Sequence, residues 1–220
     1  CGLPSSGDFW RFTFNNHGCI FVLHGFHWML VAFILFLLPL FINESDDDKW
    51  YLKFLEAMYA DPGVRFNAVI NQKQFDLDSK ILAYVEVVNS KNLLIEIDNE
   101  TIVLKGDTIQ TYNKRTNQLV IDRLIDGDIG IFSLLSGNLN NVDIIRSDLN
   151  KNTVKIIFSL PIQRYNGFVE ILKTGEPKRM KLSFSDNQYL DIAIDEFKTG
   201  SLSKFNNFKP SPKETIYLYE

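Results

Sequence analysis

Histidine and cysteine, the side chains that most often perform catalysis near neutral pH, occur only at the beginning of this chain of 220 residues. After Met29 the sequence contains neither type. A Ser-His-Asp triad, a Cys-His pair, thiol redox chemistry, a disulfide and a zinc site of the usual ligands are therefore excluded beyond that point, and we expect no metal and no cofactor. The five residues are Cys1, His17, Cys19, His24 and His27.

Two pairs of aspartates are the remaining groups whose spacing suits catalysis, because two carboxylates can act as the acid and base of a glycosidase. Asp126 and Asp128 flank Gly127 in a predicted turn, and Asp191 and Asp195 belong to a predicted strand. Turn chemistry explains the first pair, and a solvent-facing strand surface explains the second. We therefore predict that the protein is not an enzyme, and carboxylate catalysis is the third hypothesis.

Composition and charge favour one domain without a nucleic-acid surface. Of the residues 45% are apolar and 23% are charged, which is enough for one compact core but too little for two ordinary domains. The net charge of −4 and the pI near 5.5 leave no basic surface for neutralising phosphates. Binding to nucleic acid or to an anionic membrane is thus disfavoured.

An apolar segment near the beginning predicts export. Residues 19–42 contain no Asp, Glu, Lys or Arg and are long enough to cross a bilayer as a helix. Read from Met29, the run has the length of a signal peptide and ends in a polar, acidic break. We interpret residues 1–28 as a non-native or upstream extension, residues 29–44 as a signal peptide or an uncleaved membrane anchor, and residues 45–220 as the folded domain.

Residues 45–220 begin with one predicted helix and continue in strands. Trp50, Phe54, Leu55 and Met58 recur at helical spacing and form a buried stripe. Beyond Pro62 apolar and polar residues alternate with a period of two, in about ten or eleven short segments that are separated by turn signals. The pattern predicts a mostly β (α+β) fold, in which a curled antiparallel sheet forms an incomplete barrel around an apolar cavity.

A short apolar segment, IFSLL at residues 131–135, interrupts the strands between Gly130 and Gly137. We expect one or two turns of helix. One interpretation makes the segment a plug of the core, and the other makes it a mobile lid, because the flanking glycines can act as hinges. The sequence leaves both interpretations open.

The order of these elements resembles the periplasmic outer-membrane lipoprotein carrier protein family, LolA and its relatives, from about Trp50 to Glu220. One departure concerns an Arg-Pro pair that the family carries before its third strand, where the arginine helps to hold the lid closed. Here residues 89–92 read NSKN, so only Lys91 supplies a charge, without the planar fork of arginine. The resembling segments are WYLKFLEAM (50–58), VRFNAVINQKQF (64–75), LKGDTIQTYNKRTNQLVIDRL (104–124), IGIFSLLSGN (129–138), KRMKLSFSDNQYLDIAIDEF (178–197) and FNNFKPSPKETIYLY (205–219).

The resemblance implies a carrier that takes triacylated lipoproteins from an inner-membrane lipoprotein-releasing ABC transporter and shields their acyl chains in its cavity. It then delivers them to an outer-membrane lipoprotein receptor or to the outer membrane. It also implies a monomer in the periplasm of a diderm bacterium, with no nucleic acid as a partner. The alternative hypothesis is a membrane-tethered module with the same half-barrel that senses lipids or lipoproteins.

Alternation along the strands selects the residues that we expect to line the acyl-chain cavity, although a register error of one residue would exchange the two faces of a strand. The cavity set is Phe66, Ala68, Ile70, Leu93, Ile95, Val154, Ile156, Phe158, Met180, Leu182, Phe184, Leu190, Ile192 and Ile194. The lid set is Ile131, Phe132, Leu134 and Leu135, together with Trp50 and Phe54 of the first helix.

Overall fold

A computed structural model of the protein describes residues 46–125, 130–139 and 141–219. The segments interpreted as an upstream extension and as a signal peptide or anchor lie outside these residues. The aspartate pair at 126 and 128 also lies outside them. Among the described residues no helix is both long enough and apolar enough to span a bilayer.

The first helix, α1 (Asp46–Met58), forms where the apolar stripe predicts it. Phe54 and Met58, one turn apart, have no exposed surface, whereas Trp50 and Leu55 are half-buried at the edges of the stripe. The buried stripe packs against the inner face of the sheet at its seventh, eighth and tenth strands. The predicted helix and its buried face are therefore confirmed.

Twelve strands form one curled sheet that does not close into a barrel, as the alternating pattern predicts. Neighbours run antiparallel except for β12, which pairs parallel with β6, and the spatial order is β12-β6-β5-β4-β3-β2-β1-β11-β10-β9-β8-β7. The strands are β1 (Val64–Gln74), β2 (Leu77–Asn89), β3 (Asn92–Ile97), β4 (Glu100–Lys105), β5 (Thr108–Asn113), β6 (Gln118–Arg123), β7 (Asp143–Leu149), β8 (Thr153–Leu160), β9 (Tyr165–Leu172), β10 (Pro177–Ser185), β11 (Gln188–Thr199) and β12 (Glu214–Tyr217).

The strand count exceeds the predicted ten or eleven because the short C-terminal strand joins the same sheet. The chain leaves β11, forms the short helix α3 (Ser203–Asn206), and then adds β12 to the free edge of β6. There the backbone N–H and C=O groups of β6 gain partners that an open edge would lack.

The inner face of the sheet carries the core. Inward residues face each other across neighbouring strands: Ala68 lies opposite Ala83 of β2 and Ile194 of β11, and Met180 lies opposite Val169 and Ile192. A second helix, α2 (Ile131–Ser136), packs on this face against β2. The two helices thus cover the concave side of the half-barrel.

The C-terminal segment covers part of the outer face. Glu86 of β2 points outward, yet it has no exposed surface, because α3 lies over it. Its carboxylate accepts the backbone N–H groups of Lys204 at 3.3 Å and Phe205 at 2.7 Å, and the hydroxyl of Tyr84 at 2.9 Å. A buried carboxylate with three donors fixes this segment to the sheet.

Candidate functional site

The candidate site is the concave apolar face, where the structure brings the predicted cavity residues together. All fourteen belong to the interior or its margin, and every one except Phe184 is at most 5% exposed. Phe184 is half-buried at one end, where its ring meets Tyr165 edge-on with 4.7 Å between the centroids. The register derived from alternation therefore places the right residues on the inner face, and their contact with an acyl chain stays a prediction.

Close packing at the centre of this face depends on Gly167 of β9. A β-carbon there would lie 2.3 Å from the carbonyl oxygen of Lys181 and 2.6 Å from Cζ of Phe158. The ring of Phe158 therefore lies against the backbone of the neighbouring strand at Gly167, where any larger residue would displace it.

A hollow on the surface differs from this interior in its chemistry. This hollow, of about 420 Å³, opens between β9, β10 and β11 and is lined mainly by polar groups, among them Arg164, Lys181 and Asp186. Such a lining hydrogen-bonds water well and offers little apolar area to a hydrocarbon chain. The concave face is thus the place in the described residues where an acyl chain gains most from burial.

The central segment forms the short helix that its sequence predicts. Leu134 and Leu135 of α2 have no exposed surface and belong to the core, while Ile131 and Phe132 are half-buried. The helix ends at Gly137, whose φ of +72° is left-handed and whose N–H donates to the carbonyl of Leu134. The two leucines close the interior here, and movement of the helix as a lid stays a prediction.

The stripe of α1 completes the cover of the site. Phe54 is buried in the core, and Trp50 is half-buried with the ammonium of Lys53 4.8 Å from its ring centroid. Burial raises the pKa of Tyr51, as does the nearby Tyr59, and hydrogen bonding with the backbone of Leu139 opposes this shift only partly. The hydroxyl is therefore protonated at physiological pH.

The turn at residues 89–92, between β2 and β3, is stabilised by its own side chains. The side-chain oxygen of Asn89 accepts the backbone N–H of Lys91 at 3.0 Å and the amide of Asn92 at 2.9 Å. Lys91 is exposed and forms no ion pair with any of the described residues.

The aspartates on β11 do not form a catalytic pair. Asp191 is 8% exposed and accepts two hydrogen bonds from Arg179, Nε to Oδ1 at 2.8 Å and Nη2 to Oδ2 at 2.5 Å. This pairing raises the pKa of Arg179 and keeps the carboxylate engaged. Asp191 and Asp195 are four positions apart along the strand, a distance of roughly 13 Å, which is beyond the separation of a glycosidase pair.

The side chains that the structure describes contain no group of three or more His, Cys, Asp and Glu suited to a metal ion.

The sequence analysis did miss part of the interior. Several core residues face inward beside the predicted ones, and the same alternation of apolar and polar residues along the strands could have identified most of them. They are Val64, Ala83, Val85, Val87, Leu104, Leu160, Val169 and Ile171.

Comparisons with known proteins give likenesses of fold. No family model and no curated protein matches this chain. An uncharacterized conserved protein from Thermus thermophilus is 14% identical with a TM-score of 0.50, over 78% of this chain and 99% of the other. This likeness concerns the fold alone.

Two further solved structures are proteins of the lipoprotein-sorting kind that the sequence resembles. A LolA superfamily protein from Nitrosomonas europaea is 10% identical with a TM-score of 0.43, over 73% of this chain and 97% of the other. A putative outer membrane lipoprotein-sorting protein domain from Vibrio parahaemolyticus is 7% identical with a TM-score of 0.40, over 73% and 97%. Both likenesses concern the fold alone.

Proposed function

We propose that this protein is a periplasmic carrier of a diderm bacterium that binds the acyl chains of lipoproteins against the concave face of its sheet. One observation carries the proposal: apolar side chains from eight adjacent strands form a continuous inner face, and α1 and α2 pack over it. The order of elements that the sequence shares with lipoprotein carriers supports the same conclusion.

The physical need for such a carrier follows from the hydrophobic effect. Each buried CH₂ group contributes about 0.8 kcal/mol, so a lipoprotein with several acyl chains leaves a membrane only if another apolar surface covers those chains. A half-barrel with an apolar concave side supplies that surface and can still release its cargo. No bond is made or broken by the carrier, which therefore acts without catalysis.

Entry of an acyl chain requires part of the interior to move. Leu134, Leu135 and Phe54 fill the space between the helices and the sheet, and all three have no exposed surface. Gly130 and Gly137 lie at the two ends of α2 and allow that helix to swing. We propose that α2 moves outward as a lid, so that the acyl chains replace its two leucines.

The proposed partners follow from this role. An inner-membrane ABC transporter that releases triacylated lipoproteins would load the carrier, and an outer-membrane receptor, or the outer membrane itself, would unload it. Export by the apolar segment before residue 45 would place the folded domain in the periplasm. Because hydrolysis by the transporter would drive the transfer, the carrier needs no cofactor, and we propose that it acts as a monomer.

Native mass spectrometry tests the proposal. The full chain is co-expressed with a triacylated lipoprotein in a diderm host, and the isolated complex is weighed. We expect one lipoprotein per carrier, lost in Phe132→Asp on the half-buried side of α2. Phe75→Asp, at a hairpin tip where the ring is 68% exposed, is the matched control and should retain the complex.

The other outcomes separate the hypotheses. Retention of free lipid without lipoprotein would favour the membrane-tethered sensor. Absence of any acylated species, from the wild type and from Phe75→Asp alike, would contradict the carrier.

A further inference from the structure

We infer that Tyr165 of β9 and Phe184 of β10 form an end wall of the concave face, and that this wall sets the longest acyl chain that the face can cover. The inference rests on the proposed carrier function and deepens it, because it names the chain length that the site selects. The wall lies at the end of the half-barrel that carries the turns at residues 161–164 and 186–187.

The opposite end of the sheet is occupied by α1. The turn between β9 and β10 lies there, and a β-carbon at its Gly175 would lie 2.4 Å from the carbonyl oxygen of Lys53. The backbone of the helix therefore touches the turn, and Nζ of Lys53 donates to the carbonyl oxygen of Lys173 at 3.4 Å. An acyl chain on the inner face therefore extends away from this end, toward the aromatic pair.

The two rings of the wall contact each other at the far end. They meet edge to face, with 4.7 Å between the centroids and 89° between the planes, which is a favourable geometry for aromatic rings. Both side chains are half-buried and pack against the core. Tyr165 lies opposite Leu160 of β8, which has no exposed surface. The apolar interior thus ends at this pair.

Two irregularities of the backbone place the pair at the rim. The pairing of β10 with β11 shifts between Ser183 and Ser185, so Phe184 is the extra residue of a bulge. Bulges bend a strand and re-aim a side chain, and they are common at the rims of barrels. Tyr165 directly follows Arg164, whose φ of +59° is left-handed and uncommon for a residue with a side chain.

The chemistry of the surface changes at Phe184. This side chain packs against the core, and it also lines the polar hollow of about 420 Å³ that contains Arg164 and Asp186. Each CH₂ group covered by the apolar face should raise the affinity about four-fold. A CH₂ group beyond Phe184 would lie among charged groups and would gain little. The wall is therefore a boundary for binding free energy as well as for space.

The inner face has a length that suits the acyl chain of a membrane lipid. Tyr165 and Ile171 are six positions apart on β9, which corresponds to roughly 20 Å of strand. The hydrocarbon of one bilayer leaflet is about 15 Å thick, half of the core of the bilayer. A chain of that length fits between α1 and the aromatic pair, whereas a much longer chain meets the wall.

A displacement titration of the full chain tests the inference, with a bound fluorescent polyene fatty acid and saturated fatty acids of increasing length as competitors. For the wild type we expect the affinity to rise about four-fold with each CH₂ group and then to stop rising at a limiting length. Phe184→Ala vacates the space of the ring beside the core and should move this limit to longer chains. Phe184→Trp enlarges the ring and should move it to shorter chains.

Phe168→Ala is the matched control, because it makes the same truncation on the outer face of the neighbouring strand, beside Lys155. Its limiting length should be that of the wild type. The two Phe184 variants are expected to move the limit in opposite directions, so a general loosening of the fold cannot imitate both results.

Three results would overturn the wall while leaving the carrier intact: an unmoved limit in both Phe184 variants, a loss of affinity by the same factor at every length, or an equal movement in Phe168→Ala. Failure of every fatty acid and of the fluorescent probe to bind the wild type would contradict the carrier itself, and the wall with it.

Discussion

The carboxylate of Glu86 accepts the backbone N–H of Phe205 at 2.7 Å, which joins β2 to a segment 119 residues further along the chain. The same carboxylate also accepts hydrogen bonds from the hydroxyl of Tyr84 and the backbone N–H of Lys204, and Glu86 has no exposed surface. Burial, together with the hydrogen bond and the charge of Glu86, raises the pKa of Tyr84 to about 12. One buried side chain thus fixes the C-terminal segment.

Glu86→Ala is expected to lower the free energy of unfolding by about 1–3 kcal/mol, since three donors lose their acceptor in a buried place. Urea denaturation followed by circular dichroism measures the change. Glu56→Ala, at an exposed position of α1, is the control and should remain within about 0.5 kcal/mol of the wild type. Equal effects of the two substitutions would contradict the role assigned to Glu86.

Gly137→Ala combines a left-handed backbone with a close neighbour. At φ +72° an alanine is strained, and its β-carbon would press on Phe54 at 3.2 Å, so we expect a loss of about 1–3 kcal/mol. Gly106→Ala is matched in conformation, with φ +67°, but a β-carbon there meets nothing within 4 Å. Thermal unfolding should show the smaller loss at residue 106. If it does not, Gly137 is not in tight contact with α1.

The ion pairs of Glu96 with Lys114 and Lys204 predict that the free energy of unfolding depends on pH. Burial opposes ionisation of this carboxyl, but hydrogen bonds from Lys204 and Lys114 and their charges outweigh it and hold the pKa of Glu96 below its usual value. Ionised Glu96 therefore stabilises the fold above its unfolded pKa of about 4.3, and this contribution is lost as pH falls through the lower folded pKa.

Glu96→Gln removes that titration, so its free energy of unfolding should fall less steeply than that of the wild type as pH is lowered from about 5 to 3. Denaturant melts at several pH values provide the measurement. Because the three side chains are partly exposed, the difference between the two proteins should shrink at about 1 M salt. Parallel curves for the two proteins at low salt would refute the assignment.

The inner face was predictable because, in a strand that is buried on one side, every second side chain points inward and is apolar. Ile156 and Phe158 could be assigned inward from β8 alone, and the structure places both in the core. The burial of Glu86 could not be predicted in this way. In the sequence, a glutamate that alternates with apolar residues looks the same whether its side chain is exposed to water or covered by another segment. Only the return of the C-terminal segment over the sheet removes it from water.

The packing of the interior also could not be predicted from the sequence. Periodicity shows which side chains point inward but not whether they meet, because that depends on the curl of the sheet and the position of the helices. Phe158 contacts Gly167, its partner on the neighbouring strand, and neither residue indicates this contact by itself.

Photocrosslinking in living cells tests the binding of acyl chains to the concave face most directly. The full chain carries p-benzoylphenylalanine in place of Phe66, which is 1% exposed on the inner face, or of Phe168, which lies on the outer face of β9 beside Lys155. A triacylated lipoprotein is co-expressed in a diderm host, and a second client without its lipidated cysteine serves for comparison.

We predict a crosslink to the acylated lipoprotein from position 66, none from position 168, and none to the client that lacks acyl chains. A second inner position, Met180, should behave as position 66 does, provided that both variants accumulate to the wild-type level. Crosslinks from position 168 alone, or an absence of crosslinks from both inner positions in folded protein, would contradict the binding of acyl chains by the concave face.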